Sequence, residues 1–226
     1  MQITDKITIT NEDNMELMAR YPDGYFDLAI VDPPYGIGED WKKRKNTSKK
    51  YKGAYNNEKI PEKKYFDELM RVSKNWIVWG WNYYTDFFSP TNYLIIWDKK
   101  VPEQTAFYSQ VEIAATNIKI PAAIYRHSWD GARKELETGV EKIHPHQKPI
   151  ALYKWLLGKY AKPGDKILDT HLGSGSIAIA CHDFGYELTA CEIDNIYFDS
   201  SCKRIKHHIA FNKSLFQPEE LTQTLF

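Results

Sequence analysis

Nothing in the 226 residues approaches the roughly 20-residue apolar run that crosses a bilayer. The opening MQITDKITIT also lacks the apolar stretch of a secretion signal, so the expectation is a soluble, cytoplasmic protein with no membrane partner. Cysteine is scarce. Cys181, Cys191 and Cys202 are odd in number and lie ten and eleven residues apart, which suits neither a disulfide framework nor a zinc knuckle; they read as reduced and structural. Net charge is missing too, since thirty basic residues balance thirty acidic ones, and this argues against a globally basic nucleic-acid binder. No internal repeat divides the chain. Its length and 42% hydrophobic content suit one domain with insertions.

What the chain does contain is unevenly placed. Acidic residues are absent from KKRKNTSKKYK (42–52), where seven of eleven residues are basic, so the neutral average conceals a strong local positive patch. A solvated loop and a nucleic-acid contact are both open readings of it. Aromatic residues make up 14% and cluster in NWIVWGWNYYTDFF (75–88), which reads mostly as core. Seven apolar runs read as strands, at about 7–10, 26–31, 76–80, 93–97, 111–116, 166–169 and 187–191. Helical patterns fall at roughly 13–20, 61–74, 82–88, 150–161, 175–184 and 195–210. The alternation predicts a mostly parallel α/β sheet covered by helices on both faces, with ligands beyond the carboxyl ends of its strands.

Two of the predicted strands end in unusual chemistry. FDLAIV (26–31) runs into Asp32-Pro33-Pro34-Tyr35. Proline cannot donate to a sheet ladder and has a fixed φ, so the strand must stop there and hold a carboxylate, carbonyls and an aromatic ring stiffly. The second is DKILDTHLGSGS, where a strand reaches Asp169 and then Gly173-Ser174-Gly175 before an apolar helix. Glycines let a ligand approach the backbone, and the helix N-terminus offers free amides. Glu192 lies nineteen residues past Gly173, where such folds grip ribose hydroxyls. With no expanded glycine pattern and no following lysine, a nucleoside without a pyrophosphate fits better than a dinucleotide.

Together these segments resemble the amino-group DNA methyltransferases that use S-adenosylmethionine, over nearly the whole chain. DPPY matches the family's (D/N/S)PP(Y/F/W) motif, DTHLGSGS (169–176) its DPFxGSGT motif, and HPHQKP (144–149) its H-P-x-x-K-P segment. The catalytic motif comes first, the order of the circularly permuted β group. The resemblance implies a Rossmann-like, seven-stranded α/β methyltransferase fold in a single domain spanning 1–226. It implies a basic loop insertion at about 36–60 and a short target-recognition segment at about 117–143, only about twenty-seven residues. Sequence discrimination then falls to a small loop set, to a homodimer partner, or hardly to anything. The implied reaction is site-specific methylation of the N6 amine of a flipped adenine in DNA, in a restriction-modification setting, with no metal.

By the same resemblance, Asp32, Pro33, Pro34 and Tyr35 are catalytic. Asp13, His144, Lys148, Asp169, His171, Gly173, Ser174, Gly175, Glu192 and Asp194 bind the cofactor, with Lys148 meeting its carboxylate. Lys42, Lys43, Arg44, Lys45, Lys49 and Lys50 bind DNA. Thr170 and His171 depart from the family's Pro and Phe, which puts the apolar packing expected there in question. The chemistry suits the residues: an exocyclic amine is a poor nucleophile, and acceptors on its hydrogens favour the pyramidal nitrogen of the transition state. Alternatives are N4-cytosine methylation of DNA, adenine methylation of RNA, an inactive nucleic-acid-binding subunit, and a metal hydrolase built on His144, His146 and Asp residues.

Overall fold

In the computed structural model, the described residues are 1–37, 59–89, 91–102, 109–129, 134–137 and 141–215. They form one eight-stranded sheet: β1 (Ile7–Thr10), β2 (Phe26–Val31), β3 (Ser73–Trp79), β4 (Leu94–Asp98), β5 (Val111–Thr116), β6 (Ala123–Arg126), β7 (Lys166–Asp169) and β8 (Glu187–Cys191). All seven expected strands are present. The eighth, β6, lies inside the 117–143 segment and pairs parallel with β4 at the edge of the sheet. Four residues with only Ala123 buried carry too little periodicity to read as a strand; β4 supplies the ladder that orders them.

Among the described residues, five helices accompany the sheet: α1 (Asn14–Ala19), α2 (Lys63–Val72), α3 (Ile150–Tyr160), α4 (Ser176–Phe184) and α5 (Asn195–Leu215). The helix expected over 82–88 is instead two 3-10 turns, Trp81–Tyr83 and Thr85–Phe87, closed by Tyr84 N–H to Trp81 and Phe87 N–H to Tyr84. Trp81 and Tyr84, three residues apart, are both buried, as the three-residue winding of 3-10 turns aligns them on one side.

Strand alternation assigns the two faces. Along β2, Leu28 and Ile30 join one core with α3, α4 and α5, while Ala29 and Val31 join the other with α1 and α2; Phe26, the first strand residue, departs from the alternation and packs in this second core. Burial on both faces explains why the strand is apolar without interruption from Leu28 to Val31. Strand order is β1-β8-β7-β2-β3-β5-β4-β6, and only β5 runs antiparallel to its neighbours. From β7 the chain winds outward to β8, and from β2 it winds the opposite way to β3. The β7/β2 boundary is therefore the switch point, and the two motif-bearing strands are the pair that flank it.

Candidate active site

β2 releases the chain at Asp32, and the two prolines set the turn that follows. Tyr84, brought in by the second 3-10 turn, donates its hydroxyl to the Pro33 carbonyl at 2.7 Å and the Pro34 carbonyl at 2.9 Å. Behind the turn stands Gly80, with φ +76°; a β-carbon there would lie 2.2 Å from Cε1 of Tyr35. The Tyr35 ring occupies the space a side chain would need and lies near-parallel to Tyr83, with centroids 4.9 Å apart. Its hydroxyl donates to Asp32 Oδ1 at 2.5 Å. Burial raises the Tyr35 pKa well above its ordinary value, so it remains a phenol and a donor.

Around Asp32 lies a buried chain of charge. Lys148 Nζ sits 2.5 Å from Asp32 Oδ2 and 2.9 Å from Glu112 Oε2, and Lys99 Nζ meets Glu112 Oε1 at 2.7 Å. Burial opposes the Lys148 charge, but the two carboxylates outweigh it and its pKa rises. Glu112 is likewise disfavoured by burial yet held well below the usual carboxylate range by Lys148 and Lys99. In Asp32 burial dominates over Lys148 and the pKa goes up. The result is one firmly ionised carboxylate beside one readier to take a proton.

Across the switch point, β7 ends at Asp169. Its Oδ1 accepts the His171 N–H at 2.9 Å, and burial pushes its pKa up to about 8. The turn reverses at Gly173 and Gly175, both at positive φ; a β-carbon on Gly175 would lie 2.8 Å from Ile205, so glycine here also lets α5 pack close. Gly173 N–H donates to Glu192 Oε2 at 2.8 Å, which holds that carboxylate at the mouth of the turn. Arg204 from α5 supports the turn from below, donating to the Ser174 carbonyl at 2.8 Å and to Ser176 Oγ at 3.0 Å. Ser176 Oγ in turn donates to the Lys148 carbonyl at 2.8 Å, joining the glycine turn to the lysine on Asp32.

The Thr170-His171 departure is accommodated by polar contacts. Tyr65 and Thr170 hydroxyls lie 2.7 Å apart, Thr170 Oγ1 is 2.9 Å from His171 Nδ1, and His171 Nε2 is 3.2 Å from Asn14 Nδ2. Burial lowers the His171 pKa to about 3, so the ring is neutral and holds the network with one donor and one acceptor nitrogen. An open cleft of about 240 Å³ lies between His171, Asn14, Pro34, Ile60 and Tyr65.

Other expected site residues fall as follows. Asp13 caps α1 by accepting the Met15 N–H, and Asp194 caps α5 by accepting from Ile196 and Tyr197, so each has a local structural role at the end of its strand. His144 stacks edge-on against Tyr197 at 4.5 Å, beside Gly173. Among the described residues, no three His, Cys, Asp or Glu side chains converge as a metal-binding group. Lys42, Lys43, Arg44, Lys45, Lys49 and Lys50 lie outside the described residues. The flanks of their segment meet at the DPPY turn, where Gly36 lies against Ile60. Sequence reasoning missed Glu112, Lys99, Tyr84 and Arg204. A single Glu in the apolar run VEIAAT was the available signal, because a charge in a sheet-centre strand needs a partner.

Residues 62–203 match the profile of the N6/N4 DNA methylase family. The chain belongs to this family. Type II methyltransferase M.HpaI from Haemophilus parainfluenzae is 23% identical to the methylase, over 79% of this chain and 68% of that protein. Among solved structures, M1.HpyAVI in complex with SAM superposes with a TM-score of 0.57 at 18% identity, covering 88% of this chain and 99% of the other. PvuII DNA methyltransferase, cytosine-N4-specific, superposes at 0.56 with 12% identity, covering 91% and 93%. The methylase shares their fold. No helix among its described residues is long and apolar enough to cross a membrane.

Proposed function

We propose that the methylase transfers a methyl group from S-adenosylmethionine to the N6 amine of an adenine flipped out of duplex DNA. The observation that carries this reading is the juxtaposition at the switch point: an acceptor-rich turn at the end of β2, one strand away from a glycine turn edged by the buried Asp169 and the half-buried Glu192. The site suits this cofactor. Burial opposes the negative charge of Asp169, and a ligand bearing an ammonium and a sulfonium offsets that cost. Glu192 accepts ribose hydroxyls, the Gly173–Gly175 turn and His144 line the approach, and Asp13, His171 and Asp194 edge it. The cofactor supplies a methyl group already activated on sulfur.

The protein's task is then to hold and polarise the amine. Asp32 accepts one amine hydrogen. The Pro33 carbonyl, whose oxygen has a second lone pair beyond the Tyr84 bond, accepts the other. As nitrogen gains its methyl group it sheds one proton, and Asp32, with its raised pKa, takes it and passes it to water. Tyr35 provides a stacking surface worth roughly 1–3 kcal/mol, comparable with the few kcal/mol of flipping.

Asp at the first motif position supports adenine over cytosine, and the DPPY-before-glycine order supports the permuted β group. In this reading the chain is one domain, the basic segment contacts phosphates, and the 117–143 segment contributes to target choice. The test is methylation of unmethylated genomic DNA with labelled cofactor, followed by mass spectrometry of the nucleosides. N6-methyladenine is expected; N4-methylcytosine would transfer the same mechanism to the other base.

A further inference from the structure

Both oxygens of Asp32 are engaged, Oδ1 by the Tyr35 hydroxyl and Oδ2 by the Lys148 ammonium. Each oxygen keeps a second lone pair, but the ammonium paired at Oδ2 neutralises the charge that would draw an amine hydrogen, so Asp32 accepts the amine best once a partner draws back. The Tyr35 hydroxyl reaches Glu112 Oε2 at 3.4 Å, and Lys148 has the closer alternative. Its nitrogen is also 2.9 Å from Glu112 Oε2 and lies 5.6 Å over the Trp79 ring. Glu112 is fixed on its far side by Lys99 and sits on β5, paired with both β3 and β4. The Lys148 side chain is 3% exposed, so leaving Asp32 without another carboxylate at hand would strand a buried cation.

We propose that Glu112 is a positioning residue for methyl transfer: it retains the Lys148 ammonium when the target amine displaces it from Asp32, so the carboxylate opens to substrate without a buried charge being left unpaired. The role rests on the methyl-transfer reading of the site and deepens it. Without Glu112, Lys148 has Asp32 as its one remaining anion at contact distance among the described residues, and it competes with the amine on every turnover. The groups whose charges reach Asp32, Lys148 and Glu112 include Tyr35 on the same turn, Lys99, Tyr65, His144, His146, Tyr153 and Asp169. Burial keeps the three phenols protonated, lowers His144 well below its ordinary value and His146 to about 3, and saturating cofactor holds Asp169 fixed.

The experiment is a pH profile of single-turnover methylation of unmethylated genomic DNA at saturating cofactor, for the full chain and for E112Q, E112D and K99Q. E112Q is expected to bind S-adenosylmethionine as the wild type does. Its plateau rate should fall on the order of 10- to 100-fold, as displaced catalytic groups cause, and its acid limb should move to lower pH, because a neighbouring anion is gone and Asp32 ionises more readily. E112D should recover most of the plateau. A purely electrostatic effect of Glu112 would shift the limb without lowering the plateau. An E112Q plateau at the wild-type level, or an unmoved limb, overturns the role. Should E112Q not fold, K99Q decides, since freeing Glu112 from its far-side partner should lower the plateau, and a K99Q plateau at the wild-type level sinks the proposal. A wild-type enzyme that binds cofactor but labels no DNA refutes the methyl-transfer reading, and the positioning role falls with it.

Discussion

Gly80 and Asp169 show how single residues are committed to the site at a cost elsewhere. Gly80→Ala strains a positive φ and drives a methyl group into the Tyr35 ring, which must leave its place beside Asp32. Methyl transfer should fall on the order of 100-fold while cofactor affinity stays unchanged, as calorimetry alongside a rate measurement will reveal. For Asp169 the sign of the pH effect follows from linkage. Its pKa is raised in the folded protein from 3.8 to about 8, so the native state binds more protons than the unfolded one and loses stability as pH climbs through that window. Asp169→Asn keeps the acceptor for the His171 N–H and removes the buried charge. We expect it to be more stable at pH 7.5 by a few kcal/mol, roughly in line with 1.36 kcal/mol per pKa unit, with the gain narrowing toward pH 5. It should fail to bind cofactor. A melting curve indifferent to pH would deny Asp169 this role. Glu192→Ala should weaken cofactor binding by about 1–3 kcal/mol through loss of charge-assisted bonds to ribose.

Elements bring these residues together in ways their sequence neighbours do not. The second 3-10 turn exists to deliver Tyr84 under the prolines, so Tyr84→Phe tests the element with little change of packing. Its rate should fall about 10-fold, the effect of about 1.4 kcal/mol from hydrogen bonds that orient the Pro33 carbonyl; an unchanged rate would leave the turn as mere core. Helix α2 presents Tyr65 to Thr170 and His171, which explains how the methylase tolerates the loss of Pro and Phe from the cofactor motif. The segment between Gly36 and Ile60 begins and ends beside the DPPY turn. Changing Lys42, Lys43, Arg44 and Lys45 together to Ala should flatten the dependence of log affinity for duplex DNA on log salt by up to about 4 units, at about 0.9 for each phosphate that is no longer neutralised. Cofactor affinity should not change. A slope that stays the same assigns the segment to solvent.

At the scale of the whole molecule, the two halves of the site are joined across one strand boundary and one chain of contacts. Arg204 holds the glycine turn, Ser176 passes from that turn to the Lys148 backbone, and Lys148 lies on Asp32. Cofactor binding therefore stabilises a unit that includes the catalytic turn. At a hundredfold excess over Kd the gain is about 2.7 kcal/mol, or roughly 5–10 °C in melting temperature for a chain of this size. Asp32→Ala should keep that shift and lose methyl transfer, which separates holding the cofactor from acting on the base.

Much of this was legible in the chain itself, because local covalent facts dictate it. Prolines stop β2 at Asp32, glycines reverse the chain after β7, and near-continuous apolar runs must be strands buried on both faces. These marked both motifs, seven of the eight strands and the α/β class. The eighth strand and the 3-10 turns escaped because a neighbouring ladder and aromatic packing, rather than their own periodicity, decide them. The placement of Lys148 escaped for the same kind of reason. A motif tells that a lysine stands near a cofactor turn, but which carboxylate it meets depends on β5 lying beside β3 in the sheet, and that brings Glu112 to a residue thirty-six positions away in the chain. Charges buried in a low-dielectric interior are governed by such distances, and only the tertiary structure sets them.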